Sequence, residues 1–219
     1  MSDINETPPG PVFDDAFREQ LLDLFRWRRD VRHFNSEPLA ASDLDDLLNI
    51  MSLAPSVGNS QPWRFVKVGD AGRRAKIRAN FEACNADALG DYAGERAKLY
   101  ATLKLEGMEQ APSQIAVFVD EDTEAGRNLG QKTMPETLRY SVVSAINILW
   151  LAARAKGIGI GWVSILDPVE VGKILDVPED WDLVAYLCIG YPEEEHIEPE
   201  LQRIGWQDRL DISNFVIER

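Results

Sequence analysis

The run Arg28-Arg29-Asp30-Val31-Arg32 places three guanidinium groups and one carboxylate within five residues. Guanidinium forks match the oxygens of phosphates and carboxylates, so the three arginines can share one anion. An aspartate among them opposes anion binding unless it is neutralised or faces another part of the ligand. The pattern suggests a site that holds an anion on one side and moves protons on the other. A second cluster, Ala54-Pro55-Ser56-Val57-Gly58-Asn59-Ser60-Gln61-Pro62-Trp63, carries more hydroxyl and amide groups than a connection needs. Ser56, Asn59 and Gln61 offer donors and acceptors suited to a planar heterocycle with polar edges. An ordinary capped turn is the structural alternative.

The body around these clusters is acidic, with a net charge of −14 over 219 residues. Nucleic acid is therefore excluded as a partner for the whole surface, and the arginines form a local positive site suited to a small anion. A hydrophobic share of 45% can build a sizeable core. Cys84 and Cys188 imply no disulfide framework, and with His33 and His196 they have no zinc spacing, so no metal is expected. No apolar run approaches the ~20 residues that span a bilayer. With no secretory pattern visible, the cytoplasm is the expected compartment.

The elements that must carry these residues read as follows. Residues 1–11 are polar and Pro-rich, an expected disordered arm, and residues 12–219 form one domain. Phe17, Leu21, Leu24 and Phe25 predict a helix from Phe13 to Trp27 ending at the arginines. Ser42 is the expected N-cap of a second helix with Leu44, Leu47, Leu48 and Met51 inside. Strands are predicted at Trp63 to Val68, Ile115 to Asp120, Ile158 to Ile165 and Leu183 to Ile189, with Phe215-Val216-Ile217 as a terminal strand. Residues 71 to 108 predict two helices broken near Gly90. Pro135 to Lys156 predicts a long helix, apolar on most sides and stopped by Gly157, suited to the core or a subunit interface. Asp167-Pro168 starts a short helix reaching Leu175. Trp150, Trp162 and Trp181 read as core residues. Scattered strands among long helices give an α+β class.

The arginine run and the Ala54 to Trp63 loop together resemble the nitroreductase-like flavoprotein family, and Gly157-Ile158-Gly159-Ile160-Gly161-Trp162 and Gly190-Tyr191-Pro192 extend the resemblance along most of the chain. The resemblance implies a nitroreductase-like fold, a central mixed or antiparallel sheet wrapped by helices, in an intertwined homodimer with flavin mononucleotide (FMN) between subunits. By it, Arg28, Arg29 and Arg32 hold the phosphate and ribityl end, Ser56, Asn59 and Gln61 the flavin region, and Gly161 lies by the ring. A basic residue near the C-terminus completes the phosphate site, Arg203 or Arg209.

Two departures point to one branch of the family. Asp30 stands where the family has serine, and Ser164 follows the glycine-rich strand. They resemble the branch that consumes reduced FMN with O2, releasing a dimethylbenzimidazole and erythrose 4-phosphate, with reduced FMN supplied by a separate flavin reductase. Asp30 then serves as general base and acid, and Ser164 hydrogen-bonds a flavin nitrogen or carbonyl, or a peroxide formed from oxygen. Residues 85–110, with Tyr92 to Met108 at their centre, would close as a lid, with Leu103 or Leu105 on the flavin. The alternatives are an NAD(P)H-dependent nitroreductase or flavin reductase that keeps its FMN, and a non-catalytic flavin binder. Gly157 to Gly161 precedes a strand rather than a helix, so it is not a dinucleotide-binding turn.

Overall fold

The apolar run from Ile115 to Val119 lies at the centre of the sheet. The computed structural model describes residues 10–102 and 107–219. In it β1 is Trp63–Lys67, β2 Ser113–Asp120, β3 Gly159–Val163 and β4 Trp181–Gly190. All neighbours are antiparallel, in the order β1-β2-β4-β3. A strand covered on both faces needs no polar alternation, and β2 is buried from Gln114 to Asp120.

Helices cover both faces. Ile115, Val117 and Val119 of β2, with Leu187 and Ile189 of β4, meet Val142, Ala145, Ile146, Leu149 and Ala153 of one long helix, α6 (Thr137–Ala155). Leu47 and Met51 of α2 (Ala41–Met51) complete that layer. On the other face Ala116, Phe118, Tyr186 and Cys188 meet Ile77 and Phe81 of α3 (Ala71–Leu89) and Val171 and Leu175 of α7 (Pro168–Leu175). Each fully buried large apolar side chain contributes about 1.5–3 kcal/mol. The α+β class, the antiparallel sheet and the helical wrapping agree with expectation.

Local chemistry explains several helix starts. Asp14 caps α1 (Asp15–Trp27) by accepting from Phe17 N at 2.9 Å. Asp167 accepts from Val169 N and Glu170 N ahead of α7, with Pro168 in the first turn. Ser42 does not cap α2, because Asp43 N closes a turn onto Ala40 O and brings Ser42 inside the helix. The charged stretch after β1 forms α3, stops at Gly90, and continues as α4 (Gly94–Thr102) and α5 (Gly107–Gln110). A short α8 (Glu200–Arg203) follows β4.

Two further expectations fail. β3 runs only from Gly159 to Val163, shorter than the expected Ile158 to Ile165, while Ser164 follows the glycine-rich strand as expected. Residues 215–217 form no strand: they follow a 3-10 turn at Ile212–Asn214, and Phe215, Val216 and Ile217 are exposed with no strand to pair with among the described residues. Other apolar groups are also uncovered, namely Phe13, Phe17, Leu22 and Phe25 around α1 and Tyr140 and Val143 on α6. Leu103 and Leu105 lie outside the described residues, as do residues 1–9 of the expected arm. Among the described residues no helix is long and apolar enough to cross a membrane.

Candidate functional site

β3 is an edge strand, and its open edge is taken by the chain leaving α1. Val31 N donates to Ile160 O at 3.0 Å, forming a parallel bridge between Asp30 and Ile160. The approach is close enough to dictate glycine opposite. A Cβ at Gly161 would sit 2.2 Å from Val31 O, and one at Gly159 would sit 2.7 Å from Val31 Cγ2. The alternating glycines of β3 therefore admit the arginine run.

Asp30 is fixed by this pairing. Its Oδ1 accepts from Trp162 N at 2.9 Å, while Oδ2 lies 3.5 Å from Arg32 Nε. Its side chain keeps 38% of its surface open although protein surrounds most of it, as at the floor of a cleft. Burial pushes its pKa above the usual 3.8, and Glu200 adds to the rise, while the Trp162 N–H and Arg32 oppose it. Cys188, behind the carboxylate, is pushed up to about 12, mainly by burial and secondly by Asp30, so its thiol stays protonated.

The arginines divide their work. Arg32 is largely enclosed, with Nε 3.3 Å from Glu200 Oε2. Arg28 lies 4.8 Å over the ring of Trp150, whose Nε1 donates to Arg29 O at 3.1 Å. Arg29 turns its fork onto the carbonyls of Ile197 and Arg28, with Nε 2.7 Å from Ile197 O. Arg29 thus anchors the segment after β4. Burial lowers the pKa of both Arg28 and Arg29, and Arg209 lowers both further by repulsion. Arg203 lines the same cleft of about 420 Å³ as Arg29, Asp30, Arg32, His33 and Glu200. Both expected C-terminal arginines therefore approach the run.

Ser164 is exposed, two residues beyond the N–H that holds Asp30, and its hydroxyl makes no hydrogen bond among the described residues. It does not serve as a local backbone cap. The closeness of Val31 O accounts for glycine at position 161.

The second cluster is ordered by its own polar groups. Ser56 Oγ accepts from Gln61 N at 3.0 Å, and Gln61 Nε2 reaches Asn59 O at 3.3 Å. Gly58, Asn59 and Gln61 all have positive φ, at 57°, 55° and 46°. Val57 N donates to Ser141 Oγ of α6, and the loop packs on a second glycine-containing turn at Ala125–Asn128.

The two clusters do not meet within one chain. Gly161 is level with Cys188 and Gln114, whereas the loop enters the sheet at Trp63, opposite Val119. Three strand intervals of ~4.8 Å and five residues of ~3.3 Å separate these points, a diagonal of roughly 20 Å. Asp30, Arg28, Arg32 and Arg203 make up one candidate half-site, and Ser56, Asn59 and Gln61 another at the opposite edge of the sheet.

Reading the residues alone missed Trp150, Glu200 and the Trp162 N–H. The one available signal was the indole N–H of Trp150, which needs a partner wherever it is buried.

The sequence pattern of the Nitroreductase family matches residues 25–191. The chain is 60% identical over 200 residues to a protein of Rhodospirillum rubrum named 5,6-dimethylbenzimidazole synthase, covering 91% of this chain and 95% of that one. It is 50% identical to a protein of the same name from Rhodobacter capsulatus, covering 90% and 96%. Among solved structures, oxidized iodotyrosine deiodinase bound to FMN and 3-iodo-L-tyrosine superposes with a TM-score of 0.71 at 28% identity, covering 91% and 97%.

Proposed function

The chain belongs to the nitroreductase family, and from that premise we propose that it is an oxygen-dependent enzyme that fragments reduced FMN to 5,6-dimethylbenzimidazole and erythrose 4-phosphate. The name shared by the two bacterial relatives supplies the reaction. The observation that carries it is Asp30, a carboxylate locked beside guanidinium groups by Trp162 N and open to a cleft. A reductase that only passes electrons through its flavin has no need of a proton-transfer group there.

The residues fit FMN by the chemistry of their donors. Arg28 and Arg29 are repelled by Arg209, and Arg28 repels Arg29 as well. A dianionic phosphate relieves that repulsion and matches guanidinium forks. Arg28, Arg203 and Arg209 would hold it, with Arg29 bracing the segment that carries the last two. Bound reduced FMN supplies the electrons that reduce O2 and the carbon skeleton of the product. Asp30 Oδ1 stays on Trp162 N, leaving Oδ2 to accept and return protons at the ring. A pKa raised by burial makes Oδ2 a better acceptor and readies it to give the proton back. Ser164, with an uncommitted hydroxyl, would donate to a flavin nitrogen or carbonyl.

Each site draws on two copies of the chain. The half-sites lie at opposite edges of one sheet, and apolar groups on α1, α6 and the C-terminal tail are uncovered. In a two-fold homodimer the Ser56–Gln61 loop of one copy meets the Asp30 cleft of the other, and the arrangement repeats. Reduced FMN comes from a separate reductase, and the enzyme works in the cytoplasm.

The test is to mix the protein with photoreduced FMN, admit air, and follow the products by chromatography and mass spectrometry. A species with the mass of dimethylbenzimidazole, growing as flavin disappears, is the expected result. Quantitative return of oxidised FMN would overturn the reading, and an NAD(P)H oxidation assay would then separate a reductase from a passive binder.

A further inference from the structure

Gln61 has a backbone conformation that its own side chain does not favour. Its φ is 46°, a region that glycine enters freely, asparagine at some cost, and glutamine seldom. Such a residue persists only where its surroundings over-determine it. We propose that Arg64, paired with Asp120, is a positioning residue for the flavin loop, holding Gln61 in the conformation in which it meets FMN. This rests on the reading that Gln61 is a flavin ligand.

The grip is visible on both sides of the Gln61–Pro62 peptide. Arg64 Nη1 donates to Gln61 O at 3.2 Å and to Trp63 O at 2.9 Å. Arg64 Nη2 pairs with the carboxylate of Asp120 at the end of β2. The backbone N of Asp120 in turn donates to Pro62 O at 2.8 Å. Arg64 lies 5.9 Å over the ring of Trp181, which limits the guanidinium plane. Arg64 therefore fixes the carbonyls of Gln61 and Trp63, the Asp120 N–H fixes that of Pro62 between them, and Ser56 Oγ fixes the Gln61 amide from the opposite direction. Only a planar fork can serve Gln61, Trp63 and Asp120 together; a lysine ammonium on a flexible stem cannot reproduce that geometry.

A second observation shows that this region is held against local preference. Ser60 Oγ and Asp120 Oδ1 are buried without a hydrogen-bond partner among the described residues. Unsatisfied groups beside left-handed residues mark a segment whose shape serves something other than stability. An ion pair that merely stapled β1 to β2 would not need to reach back to Gln61.

The experiment uses the full chain and four variants: Arg64→Lys, Asp120→Asn, Gln61→Ala and the double variant Arg64→Lys/Gln61→Ala. Affinity for oxidised FMN is read from quenching of flavin fluorescence, with melting temperature alongside. KM and kcat are measured with reduced FMN, and amide hydrogen exchange at residues 60–62 is followed in FMN-free protein. Gln61→Ala and Arg64→Lys should each weaken FMN binding by about fivefold to tenfold, the effect of one well-placed hydrogen bond. KM should move more than kcat, and exchange at residues 60–62 should quicken in Arg64→Lys. The double variant should bind as Gln61→Ala does, because Arg64 acts through Gln61. If Arg64→Lys lowers only the melting temperature, or if the two losses multiply in the double variant, Arg64 is a strand staple and the proposal is overturned. Unchanged affinity in Gln61→Ala would instead remove Gln61 from the flavin site, and the proposal would fall with that reading. Should Arg64→Lys fail to fold, Asp120→Asn keeps the shape of the pair and gives the same readouts.

Discussion

Asp30→Asn isolates proton transfer from everything else Asp30 does. The amide is nearly isosteric, and its oxygen can still accept from Trp162 N, the bond of 2.9 Å that seats the residue. What disappears is the charge on Oδ2, 3.5 Å from Arg32, which keeps its ion pair with Glu200 at 3.3 Å. A partly exposed pair of that length is worth about 1 kcal/mol at most, so FMN affinity should change by no more than about fivefold. Loss of a positioned acid or base costs on the order of 10²–10⁴ in rate. The assay is single-turnover conversion of photoreduced FMN in air, quantified as dimethylbenzimidazole, with oxidised FMN affinity measured in parallel. Product formation within threefold of the wild type would refute the assignment. The pH dependence gives an independent check. Burial raises the Asp30 pKa above 3.8, so the folded state favours the protonated form. Between 3.8 and the raised value the native state binds more protons than the unfolded one, and stability contributed by this group falls as pH rises. The Asn variant lacks that loss, so its stability relative to wild type should climb through the same window and then level off. Wild-type turnover should rise with pH over that window, as the base ionises.

The remaining expectations concern single residues. Arg28→Met should weaken FMN by roughly 10- to 100-fold, the range for a charged hydrogen bond, yet leave riboflavin affinity unchanged; equal losses for both ligands would remove Arg28 from the phosphate. Trp150→Phe deletes the N–H held by Arg29 O and weakens the stacking on Arg28, so FMN affinity in titration should fall by severalfold while the far-ultraviolet spectrum is retained. Gly161→Ala puts a Cβ 2.2 Å from Val31 O, an overpacking of ~1–3 kcal/mol that should lower the melting temperature by about 2–12 °C; an unchanged melt would contradict the close approach. Ser164→Ala at an exposed position should alter stability by less than about 0.5 kcal/mol while reducing product yield, and an unaltered yield would exclude a role in the reaction.

The fold was most legible where pattern and local chemistry coincide. The unbroken run Ile115 to Asp120 could only be a strand covered on both faces, and Asp167-Pro168 announces a helix start by its own hydrogen bonds. The arginine run and the Ser56 to Gln61 loop could be singled out because each concentrates polar groups beyond what a turn needs. How the run meets β3 could not be read, because the pairing of Val31 with Ile160 joins residues far apart in sequence and depends on two glycines whose reason is a neighbour's carbonyl. The bond of Arg29 to Ile197 O was not legible for a similar reason, since it too joins residues far apart in sequence. Ser42 misled because a good capping residue one position inside a helix looks the same as a cap. The strand expected at residues 215–217 shows the converse: β propensity without a partner strand leaves apolar side chains in water.

The seating of residues 30 and 31 along β3 has a further bearing on the colloidal behaviour of the chain. An edge strand with free N–H and C=O groups is a template for other chains, and β3 is apolar and buried at Ile160 and Val163. The segment that carries Asp30, the proposed proton-transfer group, is also what shields that template, through Val31 N on Ile160 O. The proposed chemistry and the shielding of the edge therefore rest on the same few residues. A change that frees the run from β3 abolishes the site and uncovers a sticky strand together.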